Sequence, residues 1–412
     1  MKPIYITIVG GGFGGIYTLK KFNKIFNKNS NIHITLVSEN NYFLFTPLLH
    51  EVATGGINPQ NIIEPIKKFL GSSLNTLYVG KVTNIDIKNS KIETRNRYWD
   101  YDYLVLAPGA ETNFFNTPGA EENCFTLKSL EDAIKIKNHC ITLIDKASFI
   151  SSREERKNIL RFVIIGGGPT GVELASELEE FLKQTFLRYY TKDLIDDISV
   201  VIIQKDSELL VQLSKPLREK SLKILQKNGV EVILNALVNK VTKDGIEFNN
   251  KSLKTNTAIW VAGVKPINIS FSPSISLENN GRLKVNQYLQ LDQYSNVYAL
   301  GDISGAKEDN GIFIPMLAQV ATREANIVAE NIKNQIEDKT LKPFIYKNIG
   351  TLISLGRWMA VGEISHFIMS GHFTWFVWRT IYLSKLISWQ KKVKVAIDWT
   401  INIFSERDIS KL

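Results

Sequence analysis

The chain has 412 residues, 44 % of them hydrophobic and 22 % charged, values that exclude a wholly disordered chain, a collagen-like repeat and a polytopic membrane protein. Its 50 Lys and Arg outnumber 41 Asp and Glu for a net charge of +9, which suits a polyanionic partner, either nucleic acid or an anionic membrane surface. The two cysteines, Cys124 and Cys140, form no CxxC spacing, so a zinc knuckle, an iron-sulfur cradle and a disulfide framework lack support and a reducing compartment fits best.

Met1-Lys2-Pro3 leads straight into an alternating strand over residues 4–9; with no basic region or cleavage site, no signal peptide is expected. The strand ends in glycines, and Ile16, Leu19, Phe22 and Phe26 then recur at helical spacing. A second strand over residues 32–37 ends at Ser38-Glu39, completing a βαβ unit. Residues 129–148 read as a helix opened by Ser129 with Asp132 three positions on, and 151–158 as a charged surface connector. The βαβ grammar then returns: residues 162–165 run into three glycines, a helix begins near Thr170, and residues 199–203 supply the next strand. Residues 298–302 form another strand ending in glycine and acid, so the first domain is predicted to resume after an insertion. The expected division is 1–112 and 268–345 for the first domain, 113–267 for the inserted one, and 346–412 for a C-terminal region.

Gly10-Gly11-Gly12-Phe13-Gly14-Gly15 satisfies G-x-G-x-x-G between a strand and a helix, the context in which the pattern signals a pyrophosphate site. Gly10 permits the tight turn, Gly12 lets the backbone reach the phosphates, and Gly15 allows close helix-strand packing, while the helix N-terminus offers unpaired N–H groups. Glu39, ending the next strand, can accept hydrogen bonds from a ribose diol. Gly166, Gly168 and Gly171 repeat the pattern, but their partner strand ends in Gln204-Lys205. A carboxylate there would repel a 2′-phosphate, whereas Gln204 with Lys205 tolerates one, so NADH and NADPH both stay open. Two such sites in one chain imply a tightly bound flavin and a diffusing nicotinamide, hence an oxidoreductase. Asp302 stands where a carboxylate could meet flavin ribityl or phosphate groups.

These residues resemble the type II NADH:quinone oxidoreductases, single-subunit NADH dehydrogenases that pump no protons, and the resemblance spans nearly the whole chain. It is carried by the first glycine loop, FTPLL at 45–49, VATG at 52–55, YDYLVLA at 101–107, GAETN at 109–113, LKSLEDA at 127–133, GGGPTGVELA at 166–175, WVAGV at 260–264 and ALGD at 299–302. It implies an α/β chain of two Rossmann-like dinucleotide-binding domains in the glutathione-reductase-like arrangement, plus a C-terminal amphipathic helical region that anchors it to a membrane. The first unit would then hold FAD through Glu39 and Asp302, and the second NADH or NADPH through Gly166, Gly168, Pro169, Thr170, Gly171 and Gln204. Cofactor contacts are also implied at Phe13, Gly14, Val82, Ala107, Gly109 and Gly263. Thr46 and Pro47 match a loop against the flavin ring, and Glu173 an acid near the nicotinamide and the flavin. AQVATR at 318–323 is similar to the family's A-Q-x-A-x-Q helix start, in which Gln319 lies beside the flavin. Arg323 replaces the second glutamine, and Pro108 stands where the family commonly has threonine. Related disulfide and sulfide reductases need cysteines that Cys124 and Cys140 do not supply by position.

Five of the seven tryptophans, Trp358, Trp375, Trp378, Trp389 and Trp399, lie in the C-terminal region with Arg379, Lys385, Lys391, Lys392 and Lys394, and no acid occurs between Glu363 and Asp398. The longest uncharged run, residues 364–378, is shorter than the roughly 20 residues of a membrane span, and so is expected to lie on the bilayer. Thr380, Ser384, Ser388, Lys391 and Lys392 form one arc of a helix, while Tyr382, Leu383, Leu386, Ile387 and Trp389 mostly face the other side, an interfacial pattern. The alternative for this face is packing on the protein's own core or on a second subunit, and a homodimer is compatible with it. Nucleic acid is not an expected partner, because no binding module for it is present. The reading is a peripheral flavoenzyme on the cytoplasmic face of the inner (plasma) membrane passing electrons from NADH or NADPH to a membrane quinone. A soluble flavoprotein reductase serving an electron-carrier protein and a redox sensor without turnover are the competing readings.

Overall fold

The computed structural model describes residues 2–26, 31–365 and 367–411. The chain folds into two compact units, one of Met1–Leu44, Ile63–Glu111 and Lys265–Lys347, the other of Phe45–Ile62, Thr112–Val264 and Asn348–Leu412. Two segments depart from the expected division: Phe45–Ile62, expected in the first domain, and Asn348–Leu412, expected as a separate region, both fold with the inserted segment.

The first unit is built on a six-stranded sheet in the order Gln290–Leu291, Tyr294–Ala299, Tyr103–Leu106, Ile4–Val9, Ile32–Ser38, Thr76–Val79. Ile4–Val9 runs parallel to both neighbours, with Ile6 opposite Ile34 and Tyr103. Strands covered on both faces need apolar residues in succession, and Ile6, Ile8, Leu36, Val37, Leu104, Val105 and Leu106 are all buried. Helix Phe13–Ile25 leaves the first strand and packs against helix Ala318–Ile336, which presents Ala321, Ala325 and Ala329 among its buried residues. Small side chains allow that close approach. A second sheet, Ser270–Ser272, Val82–Asp86, Lys91–Thr94 and Tyr98–Asp100, covers a core containing Ile85, Ile92, Leu104 and Leu106.

The second unit repeats the plan with a parallel sheet ordered Val230–Ile233, Ser199–Ile203, Arg161–Ile165, Thr257–Trp260. Helix Pro169–Glu180 follows Arg161–Ile165. The expected helix over 129–148 is Leu130–Ala147, and its capping box is complete: the Asp132 amide donates to Ser129 Oγ at 3.0 Å and the Ser129 amide to Asp132 Oδ2 at 3.1 Å. The connector expected over 151–158 is instead a helix, Arg153–Ile159, capped by Ser152 with Glu154 and Glu155 in its first turn and Arg156 and Lys157 in its last. That charge order follows the helix dipole, so the residues read as a solvated link are a favourable helix sequence.

The C-terminal region departs most from expectation. It opens with an antiparallel sheet, Gly350–Ser354, Ala360–Ile364 and Phe367–Gly371, so Ile364 and Phe367–Gly371 of the run expected to lie on a bilayer as one piece are strand, and His366 within it is outside the described residues. The helix expected through 380–392 is broken: His372–Lys385 ends, Leu386 turns extended, and Ser388 caps Trp389–Phe404 by accepting from the Lys391 amide. Of the apolar arc assigned to the membrane, Leu386 is buried and Tyr382, Leu383 and Ile387 are half-buried, while Trp389 is exposed. Trp375, Trp378 and Trp399 are only 2 %, 1 % and 4 % exposed. Arg379 lies between two of them, its guanidinium carbon 3.7 Å from the Trp375 ring centre and 4.6 Å from that of Trp399, a stacked cation–π arrangement. Tryptophan count alone could not separate this core from a membrane belt.

Arg407, near the end of the chain, donates to Glu177 Oε2 at 2.6 Å, Glu180 Oε1 at 3.1 Å and Thr54 Oγ1 at 3.0 Å. Removing one partner of a buried ion pair costs about 3–5 kcal/mol. Arg407→Met is therefore expected to lower thermal stability by about that amount, and Arg407→Lys by less; a melting curve for Arg407→Met that superimposes on wild type would show that this end of the chain adds nothing to the fold.

Candidate functional site

Each unit carries a glycine loop at the carboxyl end of the parallel strands of its main sheet, and the two are built alike. In the first, a Cβ on Gly10, whose φ is +112°, would lie 2.0 Å from the Ala107 carbonyl oxygen, and one on Gly15 would lie 1.8 Å from the Gly10 oxygen. In the second, a Cβ on Gly166 (φ +117°) would lie 2.6 Å from Ala262 Cα, and one on Gly171 1.9 Å from the Gly166 oxygen. Strand, turn and helix therefore touch through backbone alone. Gly12 and Gly168, by contrast, have nothing within 4 Å of a Cβ. They are the N-caps of helices Phe13–Ile25 and Pro169–Glu180, and neither helix has a side-chain cap. Open space beside uncapped helix N–H groups is the arrangement that takes a phosphate, so both sites fit a dinucleotide.

Around the first loop, Ala107 is buried against it: a Cβ on Gly14 would lie 2.9 Å from Ala107 Cβ. Phe13 meets Phe43 edge to face, with ring centres 5.0 Å apart. Glu39 follows strand Ile32–Ser38 and is exposed, and Gly109, with φ +84°, has open space beside it. The Val82 side chain packs against the sheet core, which leaves its main chain for any ligand contact. Asp302 lies in the turn Gly301–Ile303, and Gln319 is the second residue of helix Ala318–Ile336, a third helix without a side-chain cap. Arg323, in place of the family's second glutamine, donates to the Lys347 carbonyl at 2.5 Å.

Sequence reasoning missed Glu324. It is 1 % exposed and accepts from the Gly301 amide at 2.5 Å. Burial pushes its carboxyl up to about 8, helped by the nearby charge of Asp302 and opposed by the Gly301 amide and Arg282. A polar residue on the alanine-rich face of an otherwise buried helix was the signal for it.

In the second unit, Pro169 occupies the first turn of its helix, where a missing N–H costs nothing, and Thr170 is exposed. Gly263 follows strand Thr257–Trp260, and its carbonyl accepts from the Asn113 amide at 3.0 Å. Thr46 and Pro47 form a short 3-10 turn, with Thr46 exposed. The Gln204 amide is engaged at both ends: Oε1 accepts from the Gly167 amide at 2.8 Å, and Nε2 donates to Asp206 Oδ2 at 2.7 Å.

Glu173 lies in the fifth position of its helix, so it is not a first-turn acid, and it is buried. Its Oε1 accepts from the Ser354 amide at 3.2 Å, and Oε2 is 4.0 Å from His50 Nδ1. Desolvation raises its carboxyl to about 8, with the charges of Glu51 and Glu177 adding to the shift. The same burial lowers His50 to about 4, so both are neutral near pH 7. Glu51 accepts from Trp399 Nε1 at 2.6 Å. His50, Glu51, Glu177 and Glu180 were not anticipated, although Glu173, Glu177 and Glu180 share one helical face at spacings of four and three.

Residues 5–325 match the pyridine nucleotide-disulphide oxidoreductase family, and residues 349–408 match the NDH2 C-terminal domain. The chain is 30 % identical to the external NADH-ubiquinone oxidoreductase 2 of Saccharomyces cerevisiae mitochondria, covering 100 % of this chain and 83 % of the relative. It is 28 % identical to the type II NADH:quinone oxidoreductase Ndh of Mycobacterium tuberculosis, covering 98 % and 88 %. The structure of NDH2 from Plasmodium falciparum in complex with NADH superposes with a TM-score of 0.92 at 24 % identity over 100 % of both chains.

A carboxyl whose folded pKa lies above its unfolded value binds a proton sooner on folding, so it loses stability as pH rises between the two. For Glu324 that window runs from 4.5 to about 8. Melting temperature is expected to fall across this window in the wild type and to fall less in Glu324→Gln; equal slopes would show that the Glu324 proton is not carried into the fold.

Proposed function

The chain belongs to the pyridine nucleotide-disulphide oxidoreductases, among the type II NADH:quinone oxidoreductases, and we propose that its first unit holds FAD and its second admits the nicotinamide dinucleotide. It is an NADH dehydrogenase that passes electrons to quinone. The repetition of one uncapped glycine loop in both units is the observation that carries this reading. FAD, when bound, supplies the chemistry of taking a hydride and releasing two electrons to quinone.

The residues of the chain bind, orient and hold protons. The helix N-termini opened by Gly12 and Gly168 receive pyrophosphates, the second through the amides that follow Pro169, with Gly10, Gly15, Gly166 and Gly171 keeping each turn tight. Glu39 accepts from a ribose diol, and Asp302, in the turn whose Gly301 amide is fixed by Glu324, faces the ribityl or phosphate part of FAD. Gln319, at the start of an uncapped helix, is assigned to the flavin side, and Phe13, Gly14, Val82, Ala107 and Gly109 to the walls of that site. Thr46 and Pro47 are assigned to contacts with the flavin, and Pro169, Thr170 and Gly263 to contacts with the nicotinamide dinucleotide. Buried Glu173 keeps a proton on its carboxyl at neutral pH, as a group serving proton-coupled reduction must.

No helix among the described residues is long and apolar enough to cross a membrane. Helix Trp389–Phe404 nevertheless exposes Trp389, Val393, Ile397, Ile401 and Phe404, the ends 71 % and 83 % exposed. Spacings of four, four, four and three place them on one stripe, and Phe373 and Phe376 are also exposed, on helix His372–Lys385. Lys392 and Lys394 lie on the same helix as the stripe, and each cation near an anionic leaflet adds about 1 kcal/mol. This supports peripheral attachment to an anionic membrane through a face that shares only Trp389 with the one expected, with the cytoplasmic leaflet as the proposed side. A second copy of the chain is the other occupant such a stripe could take.

Anaerobic NADH is expected to bleach the yellow protein and quinone to restore the colour; flavin that NADH and NADPH both leave oxidised would fit a sensor and end the enzyme reading. Val393→Glu with Ile397→Glu is expected to abolish sedimentation with anionic vesicles while leaving NADH-driven dye reduction. Undiminished sedimentation of that variant would contradict the membrane assignment.

A further inference from the structure

In the dinucleotide pattern an acid ends the second strand, where its charge accepts from the ribose 2′-hydroxyl and repels a 2′-phosphate. Here that position is Gln204, at the end of strand Ser199–Ile203, and no charge stands there. The amide instead bridges two groups. Gln204 Oε1 accepts from Gly167, inside the phosphate loop, and Nε2 donates to Asp206. The main chain of the turn is pinned as well, because the Asn235 amide donates to the Asp206 carbonyl at 3.0 Å and the Ala236 amide to the Gln204 carbonyl at 2.9 Å. Asp206 is thus a half-buried carboxylate held two residues beyond the usual place and tied to the glycine loop through one side chain.

We propose that Asp206, oriented by Gln204, is the specificity-determining residue that makes this enzyme prefer NADH over NADPH. The carboxylate has one oxygen on Gln204 and lone pairs left to accept from a vicinal diol. A 2′-phosphate in that position brings close to two negative charges against it. Lys205, next in sequence, is exposed, where water and salt screen its charge, and Arg218, from helix Lys215–Lys227, is paired with Glu208 at 2.8 Å. Gln204 therefore acts as a positioning residue, and its neutrality does not by itself open the site to NADPH.

The inference rests on the second glycine loop being the nicotinamide site, and the test separates the two. In the FAD-loaded full chain, kcat/KM is measured for NADH and NADPH in wild type and Asp206→Asn, and binding of ADP-ribose and 2′-phospho-ADP-ribose is titrated in both and in Gly168→Val. Wild type is expected to favour NADH. Asp206→Asn is expected to shift the NADPH to NADH ratio of kcat/KM upward by roughly tenfold or more, through KM and not kcat, with the two ADP-ribose affinities shifting in the same sense. A ratio unchanged within about twofold, equal losses with both cofactors, or a wild type that uses NADPH as well as NADH would each overturn the role of Asp206. If Gly168→Val binds ADP-ribose as wild type does, the site assignment itself fails.

Discussion

The architecture depends on main chain meeting main chain at two glycine turns. At Gly10 and Gly15, and again at Gly166 and Gly171, a methyl group would lie within about 2.6 Å of backbone atoms, so no other residue lets strand and helix approach this closely. The consequence is electrostatic. Each approach leaves a helix N-terminus without a side-chain cap beside open space, where the partial positive charge of the helix favours an anion. Binding two dinucleotides follows from repeating one turn.

Buried carboxyls form the second recurrent device. Glu324 in one unit and Glu173 in the other are each held by a single backbone amide, from Gly301 and Ser354, and each is kept protonated near neutrality by burial. In the second unit Arg407 bonds Glu177 on the helix that carries Glu173, Trp399 bonds Glu51, and the Ser354 amide bonds Glu173 itself, so the C-terminal region contributes to the surroundings of Glu173. The region expected to serve as an anchor is therefore also part of a core.

The two βαβ units were legible because both the glycine spacing and the apolar strands are local patterns, and Ser129 with Asp132 announced its helix for the same reason. The C-terminal region was not. Its sheet depends on pairing between residues 350–371, and the inward turn of Leu386 depends on a break between helices that no proline or glycine marks. Likewise Trp375, Trp378 and Trp399 read equally well as membrane aromatics or as core, since burial is a property of the folded unit. At the site, Gln204 was visible, but its bond to Asp206 was not, because a side chain two residues away becomes a partner only when the turn is folded.

The most direct measurement of the central claim is flavin content and NADH affinity in two variants that fill the open cradles, Gly12→Val and Gly168→Val. The account predicts a crossed result: the first purifies without FAD, and the second keeps its FAD but loses NADH-dependent reduction of it. Loss of FAD from both, or from neither, would contradict the assignment of one dinucleotide to each loop.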